Sequence, residues 1–262
     1  MVRLNRFRSP YKSQNLKQRL QGLLTSDHQL QIGYSMAHHI ALVGGTGPEG
    51  RGLATRFAQA GHFVTIGSRK KARGAEVAAE LATVLADTAP SATTVTGTDN
   101  KSAINNADIV IVVVPYDAHR STLEELGSKL NGKILVDAVV PVRFENGPRP
   151  IEVEAGSATE EAKQILPDAR VIGAFHNLSA EVLLEPDTPL NADVLITGSD
   201  HEAKTMVMTL ANEILGVRAV DAGPLRYSSF VENLTTLLIG INGRYKAHTG
   251  IKITGIETGA LS

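Results

Sequence analysis

Ile109–Val114 is a run of six aliphatic residues, bracketed by Asp108 and Pro115. A strand with one wet face alternates apolar and polar side chains, whereas a strand covered on both faces reads as an unbroken apolar run. This segment therefore predicts a central strand of a parallel sheet with helices on either side. It is far shorter than the roughly 20 residues needed to cross a bilayer.

The flanking sequence has the matching alternation. His39–Gly45 (HIALVGG) is an apolar run that ends in glycines, and Pro48–Ala60 places Leu53, Phe57 and Ala60 on one helical face. Strand Phe63–Ser68 and helix Lys70–Ala86 follow, then a weak strand near Thr93–Thr96 and a short helix near Lys101–Asn106. Helix His119–Leu130, strand Lys133–Val139, a loop at Arg143–Pro150, helix Thr159–Leu166 and strand Arg170–Phe175 continue the series. Beyond them come strand Val194–Gly198, helix Glu202–Leu215, strand Val217–Asp221 and a long last helix. The expected fold is α/β, a Rossmann-type doubly wound parallel sheet with a small C-terminal α/β domain. The expected domains are a basic leader at 1–37, a nucleotide-binding domain at 38–177, and a smaller domain at 178–262 that completes a second-substrate pocket.

The first strand runs into Gly45-Thr46-Gly47-Pro48-Glu49-Gly50, a G-x-G-x-x-G placed between strand and helix. The first glycine permits the tight turn, the second lets backbone approach a pyrophosphate, and the third lets helix and strand pack closely. Helix N-terminal amides then face the phosphates, and Pro48 suits the first helical turn. Glu49 is expected to point outward, because a carboxylate repels a pyrophosphate. NAD sites carry an acid at the end of the second strand for the ribose 2′-hydroxyl. That end reads Gly67-Ser68-Arg69-Lys70-Lys71-Ala72-Arg73, a serine followed by four cations, which suits a 2′-phosphate and hence NADP(H).

Several chemistries are excluded. The chain has no Cys, which removes disulfides, thiol nucleophiles and iron–sulfur clusters. None of Tyr11, Tyr34, Tyr116, Tyr227 and Tyr245 has a Lys four residues on, so the Tyr/Lys pair of short-chain reductases is missing. About 40 residues follow Asp221, too few for the large helical domain of β-hydroxyacid dehydrogenases. No His spacing suggests a metal. His176, just after strand Arg170–Phe175, sits where strand ends meet ligands; it either touches a substrate or caps the strand. A reductase without an evident acid–base residue suggests direct hydride exchange between two carriers, which depends chiefly on alignment.

Across 262 residues, 26 basic and 27 acidic side chains nearly cancel, which argues against nucleic acid as a partner. The balance is uneven, because residues 1–38 hold Arg3, Arg6, Arg8, Lys12, Lys17 and Arg19 against Asp27 alone. Such a leader loosely matches an organelle transit peptide. A start codon upstream of the true one, or a disordered arm, is the plainer account, with Met36 just before the first strand. No membrane association is expected, and the expected location is cytoplasmic.

The residues also resemble a known family, the NADPH-dependent reductases of coenzyme F420, a 5-deazaflavin. The likeness runs through Ile40–Ala54, Ile66–Ala72, Val112–Ala118, Val136–Val142, Ala174–Ala180, Asp221–Asn242 and Thr249–Gly255. It implies hydride transfer between NADP(H) and coenzyme F420. By position, Thr46, Gly47, Pro48 and Glu49 would line the pyrophosphate turn, and Ser68, Arg69 and Arg73 would hold the 2′-phosphate. Val114, Val140 and Ala180 would border the nicotinamide, and Leu238 would approach the deazaflavin. Tyr116 stands where the family often has Trp, Asn177-Leu178-Ser179 replaces a Thr-Ile-Pro run, and Thr236 replaces a Pro.

In the last helix, Phe230, Leu234, Leu237, Leu238 and Ile241 fall on one apolar face, either core or pocket wall. A homodimer across this helix is one expectation. Two other readings remain beside the deazaflavin reductase: an NADPH-dependent reductase of a flavin or other small acceptor, and a non-catalytic NADPH-binding sensor.

Overall fold

The computed structural model describes residues 36–86, 89–90 and 94–256. Residues 1–35, nearly all of the basic leader, lie outside the described residues.

Eight strands form one sheet: β1 (His39–Val43), β2 (Phe63–Ser68), β3 (Val95–Asp99), β4 (Ile109–Val112), β5 (Ile134–Asp137), β8 (Arg170–Gly173), β9 (Ala192–Gly198) and β10 (Val217–Gly223). Their spatial order is β10-β9-β8-β5-β4-β1-β2-β3. The pairings from β3 through β8 are all parallel, while β9 meets β8 antiparallel and carries β10 parallel to itself. The run that predicts a central strand does lie centrally, as β4 between β1 and β5. Its Ile109 and Ile111 pack with Leu53, Phe57 and Val77 on one side, and its Val110 and Val112 with Leu123, Leu135 and Ala162 on the other. Both faces are covered, which is why the strand has no polar alternation.

The helices are α1 (Pro48–Gln59), α2 (Lys71–Leu85), α3 (Asn100–Ala103), α4 (His119–Leu126), α5 (Ala158–Ile165), α6 (Ala180–Leu183), α7 (His201–Asn212) and α8 (Ser228–Tyr245). The expected helix to Leu130 breaks at Gly127, whose φ of +48° ends α4 and starts a 3₁₀ turn. The expected loop at Arg143–Pro150 contains a two-stranded hairpin, β6 (Val142–Phe144) with β7 (Pro148–Pro150). The weak third strand starts later than expected, at Val95.

Residues on both sides of the expected boundary at 177 contribute strands to the same sheet, and the described residues from Ala37 onward form one compact unit. The C-terminal segment therefore extends the main sheet, in the reverse direction. Among the described residues no helix is long and apolar enough to cross a membrane.

Candidate active site

The order β3-β2-β1-β4-β5 reverses direction at β1, and a crevice opens beyond the strand ends at such a switch point. Here the crevice is a cleft of about 1110 Å³. Its walls come from residues just after β1 (Gly44 and Thr46–Glu49), the end of β2 (Ser68–Lys70), and the segments after β4 (Val113–Pro115), β5 (Ala138–Val140) and β8 (His176–Glu181), with one side of α8.

Of the residues expected in the site, Thr46, Gly47, Pro48, Glu49, Ser68, Arg69, Arg73, Val114, Val140, His176, Ala180 and Leu238 all line this cleft. Gly45 and Gly50 do not; they pack against each other behind it. A Cβ on Gly50 would lie 2.4 Å from Gly45 Cα, so these two backbones touch, as the third glycine of the motif requires. The turn itself differs from expectation. The left-handed residue is Gly44 (φ +76°), whose N–H donates to Asn100 Oδ1 at 3.1 Å. Gly45 instead fits against Leu42, whose Cβ would stand 2.7 Å from an added Cβ.

Gly47 is the N-cap of α1 with no side chain capping the helix, and a Cβ there would meet nothing within 4 Å. The first-turn amides of α1 are thus open to an anion in the cleft. Arg69, Lys70 and Arg73 supply positive charge at the far end of that turn, beside the buried Ser68. Arg73 is partly engaged, donating to Glu76 at 2.7 Å. Lys71, the fourth cation of the run, does not line the cleft. An open helix N-terminus followed by a hydroxyl and three cations fits a dinucleotide with a third phosphate.

Glu49 departs from expectation. Its Oε1 is shut off from solvent, has no hydrogen-bond partner, and belongs to a side chain that lines the cleft. Burial, reinforced by Glu181, raises its pKa from 4.5 to about 8. The carboxyl is therefore mostly protonated at neutral pH, which removes the charge repulsion that predicted an outward side chain.

The other half of the cleft is bounded by the segment after β8 and by α8. His176 is buried with both ring nitrogens unpartnered, and burial lowers its pKa from 6.5 to about 4 against the opposing effect of Asp137. It is a neutral imidazole, and no hydrogen bond of its ring caps a strand. Asn177 Nδ2 donates to Val231 O at 2.9 Å and Thr235 Oγ1 at 2.7 Å, and Thr235 Oγ1 donates to His176 O at 2.8 Å. The next turn is held by Arg56, only 2% exposed. Its guanidinium donates to the carbonyls of Val182, Leu183, Glu185, Pro186 and Thr188, fastening the chain after α6 to α1.

The apolar face expected on α8 is rotated. Phe230 and Leu237 are 70% and 59% exposed, while Val231, Glu232, Thr236 and Leu238 are buried. Glu232 can be inside because it accepts hydrogen bonds from Ala158 N, Thr159 N and Thr159 Oγ1 at the start of α5. Tyr116 lies off the cleft and stacks on His119 at 6.0 Å, whereas Asn177, Leu178 and Ser179 face into it.

Sequence reasoning missed Asn100, Thr235, Asn242 and Thr249, which also line the cleft. A signal existed for Asn100: it follows Asp99, whose side chain caps α3 through Ser102 N, and that Asp-x-x-Ser spacing marks a helix start at a strand end. Thr249 opens the last stretch of the family resemblance but has no local pattern of a site residue, since it is held at the cleft by donating its N–H and hydroxyl to Asn242 Oδ1.

Residues 39–141 match the family described as NADP oxidoreductase, coenzyme F420-dependent. The chain is 40% identical over 222 residues to an F420-dependent NADP reductase of Methanocaldococcus jannaschii, covering 83% of this chain and 99% of that one. The chain belongs to the F420-dependent NADP reductase family. A second member, from Methanothermobacter thermautotrophicus, is 37% identical over 227 residues, with 84% of this chain and 97% of the relative covered. A crystal structure of a candidate F420-dependent NADP reductase from Arthrobacter sp. FB24 superposes with a TM-score of 0.70 at 26% identity, covering 83% of this chain and all of the other.

Proposed function

We propose that this chain is an NADPH-dependent oxidoreductase that moves a hydride between NADP(H) and coenzyme F420 inside the single cleft. The observation that carries the reading is continuity: one cavity joins the glycine turn and basic rim to His176 and α8. When bound, NADP(H) and the deazaflavin supply the hydride donor and acceptor carbons.

The chain's own residues bind and align. The α1 amides after Gly47, with Thr46, hold the pyrophosphate, and Ser68, Arg69 and Arg73 hold the 2′-phosphate. Val114, Val140 and Ala180 form the nicotinamide wall. His176 and Leu238 face the second ring, where the neutral imidazole adds no charge. The hydride transfer itself is a direct carbon-to-carbon step whose rate alignment carries, and the proton that completes the reduced deazaflavin comes from solvent.

In the same reading the enzyme is a homodimer, supported by the exposed apolar residues Phe230, Leu237 and Tyr245 on α8. The test of function is anaerobic mixing of the protein with NADPH and oxidised coenzyme F420, following bleaching of the deazaflavin, with FAD and FMN in parallel. Bleaching of the deazaflavin alone is expected. Reduction of FAD or FMN in its place would transfer the assignment to a flavin reductase, and tight NADPH binding with no acceptor turned over would indicate a sensor.

A further inference from the structure

Asn242 stands near the end of α8, and with Thr235, Leu238 and Ile239 it forms the stripe of that helix that lines the cleft. Residues three, four and seven apart share one helical face. The chain leaves α8 through Lys246, whose left-handed backbone (φ +49°) turns it back toward the helix. Thr249 then donates its backbone N–H (2.8 Å) and its hydroxyl (2.6 Å) to Asn242 Oδ1. A backbone N–H can only donate, so the amide atom that meets it is the oxygen, and the NH₂ group lies on the side away from Thr249. That nitrogen has no acceptor among the described residues, and it is not shut off from solvent. Its neighbours are already committed. Asn177 spends its amide hydrogens on Val231 O and Thr235 Oγ1, Thr235 gives its proton to His176 O, and Ser179 gives its own to Glu181. Asn242 Nδ2 is the side-chain donor left over among them.

We propose that Asn242 selects the second substrate of the cleft by donating an amide N–H to a carbonyl oxygen of its ring, with Thr249 fixing the side on which the donor faces. The proposal rests on the reading of this half of the cleft as the deazaflavin site. A deazaflavin ring system is apolar along most of its length and carries carbonyl oxygens at its pyrimidine end. Leu238 and Ile239 offer an apolar wall, and Asn242 stands about one turn further on, roughly 5.4 Å along the helix axis. A wall followed by a donor matches a ring that is apolar over most of its length and ends in acceptors. The amide cannot turn over to offer its oxygen, because that would leave the Thr249 N–H facing another donor. This stretch of wall therefore favours a ring edge that accepts over one that donates.

The test is titration of the full-length protein with 5-deazariboflavin, followed by the fluorescence of the ring, with coenzyme F420 and NADP⁺ titrated in parallel at about pH 8. 5-Deazariboflavin carries the ring on an uncharged side chain, so repulsion between charges does not enter. Asn242→Asp keeps an oxygen for both Thr249 donors, which hold it ionised, and puts an oxygen that cannot donate in place of the NH₂ group. This variant should unfold in denaturant like the wild type, bind 5-deazariboflavin about tenfold or more weakly, and bind NADP⁺ within about twofold of the wild type. Unchanged binding of both deazaflavins overturns the proposal, because a residue that only anchors Thr249 is satisfied by Asp. A loss for coenzyme F420 without one for 5-deazariboflavin comes from charge alone and overturns it as well. Should the Asp variant fail to fold, Asn242→Ala is compared with Thr249→Val. The first removes donor and anchor together, whereas the second removes only the hydroxyl's share of the anchor. A loss of about tenfold confined to the Ala variant supports the proposal, and an equal loss in both overturns it. A wild type that binds NADP⁺ but neither deazaflavin is a separate outcome, which removes the reading of this half of the cleft and the proposal with it.

Discussion

Asn177 Nδ2 donates to Thr235 Oγ1 at 2.7 Å, which ties the segment after β8 to α8 inside the cleft. The same Thr235 hydroxyl donates onward to His176 O, so one polar chain fixes the main-chain position of the residue whose ring is unpartnered. Asn177→Ala removes both donations of the amide and leaves Val231 O and Thr235 with fewer partners. Denaturant unfolding should show a loss of about 1–3 kcal/mol. Steady-state kinetics should show the KM for coenzyme F420 rising more than that for NADPH, since α8 bounds only the second half of the cleft. Equal effects on both substrates would mean that the Asn177 bond serves the whole fold.

The basic rim divides unequally. Arg73 already donates to Glu76, while Arg69 is exposed on the rim of the cleft. Arg69→Ala should weaken NADPH by about tenfold or more, the scale of one charge-assisted contact to a phosphate, and leave NADH nearly unchanged. Arg73→Ala should cost less. Fluorescence titration with both nucleotides separates these cases, and a parallel loss for NADPH and NADH would contradict the 2′-phosphate assignment.

Two glycines of one motif should fail in opposite ways. An alanine at Gly47 meets no protein atom within 4 Å, and its backbone (φ −80°, ψ 173°) is ordinary for any residue. Gly47→Ala should therefore unfold within about 0.5 kcal/mol of the wild type, yet bind NADPH at least about tenfold more weakly, because its methyl enters the cleft. Gly50→Ala drives a methyl to 2.4 Å from Gly45 Cα, with no flexible side chain to give way. Thermal unfolding should fall by about 1–3 kcal/mol or more, with loss of binding following the loss of the turn.

What could be read from the sequence was local. The covered strand β4, the glycine turn and the cations after Ser68 each declare themselves within a few residues, because sterics, helix-end amides and charge act at that range. The face of α8 did not, since Glu232 reads as solvent-facing until the α5 amides that satisfy it are in place. Glu49 escapes a local reading for a related reason: burial and Glu181 of α6, far along the chain, set its proton affinity. The direction of β9 likewise depends on a pairing with β8 that no local pattern encodes. Arg56 is the extreme case, because its carbonyl partners lie more than 120 residues away in the chain.

His119 illustrates the same limit and gives the last prediction. Fully buried, it joins Asp137 at the end of β5 (2.6 Å) to Glu161 of α5 (2.9 Å), and Glu161 also accepts from Arg120 at 2.6 Å. Burial alone would lower its proton affinity. The two carboxylates more than offset that, and the pKa rises from 6.5 to about 9. A folded-state pKa above the unfolded value means that the stabilisation is complete below about pH 6.5 and is lost as pH climbs through about 9. Removing one partner of a buried ion pair leaves charge uncompensated, so His119→Gln should destabilise the protein by about 3–5 kcal/mol near pH 6.5. The gap between variant and wild type should narrow toward pH 9.5. Imidazole resonances followed by NMR provide the direct check, with one histidine titrating near pH 9 in the wild type and missing from the variant. A spectrum with no histidine titrating above pH 7.5 would show that the proton is not held between Asp137 and Glu161.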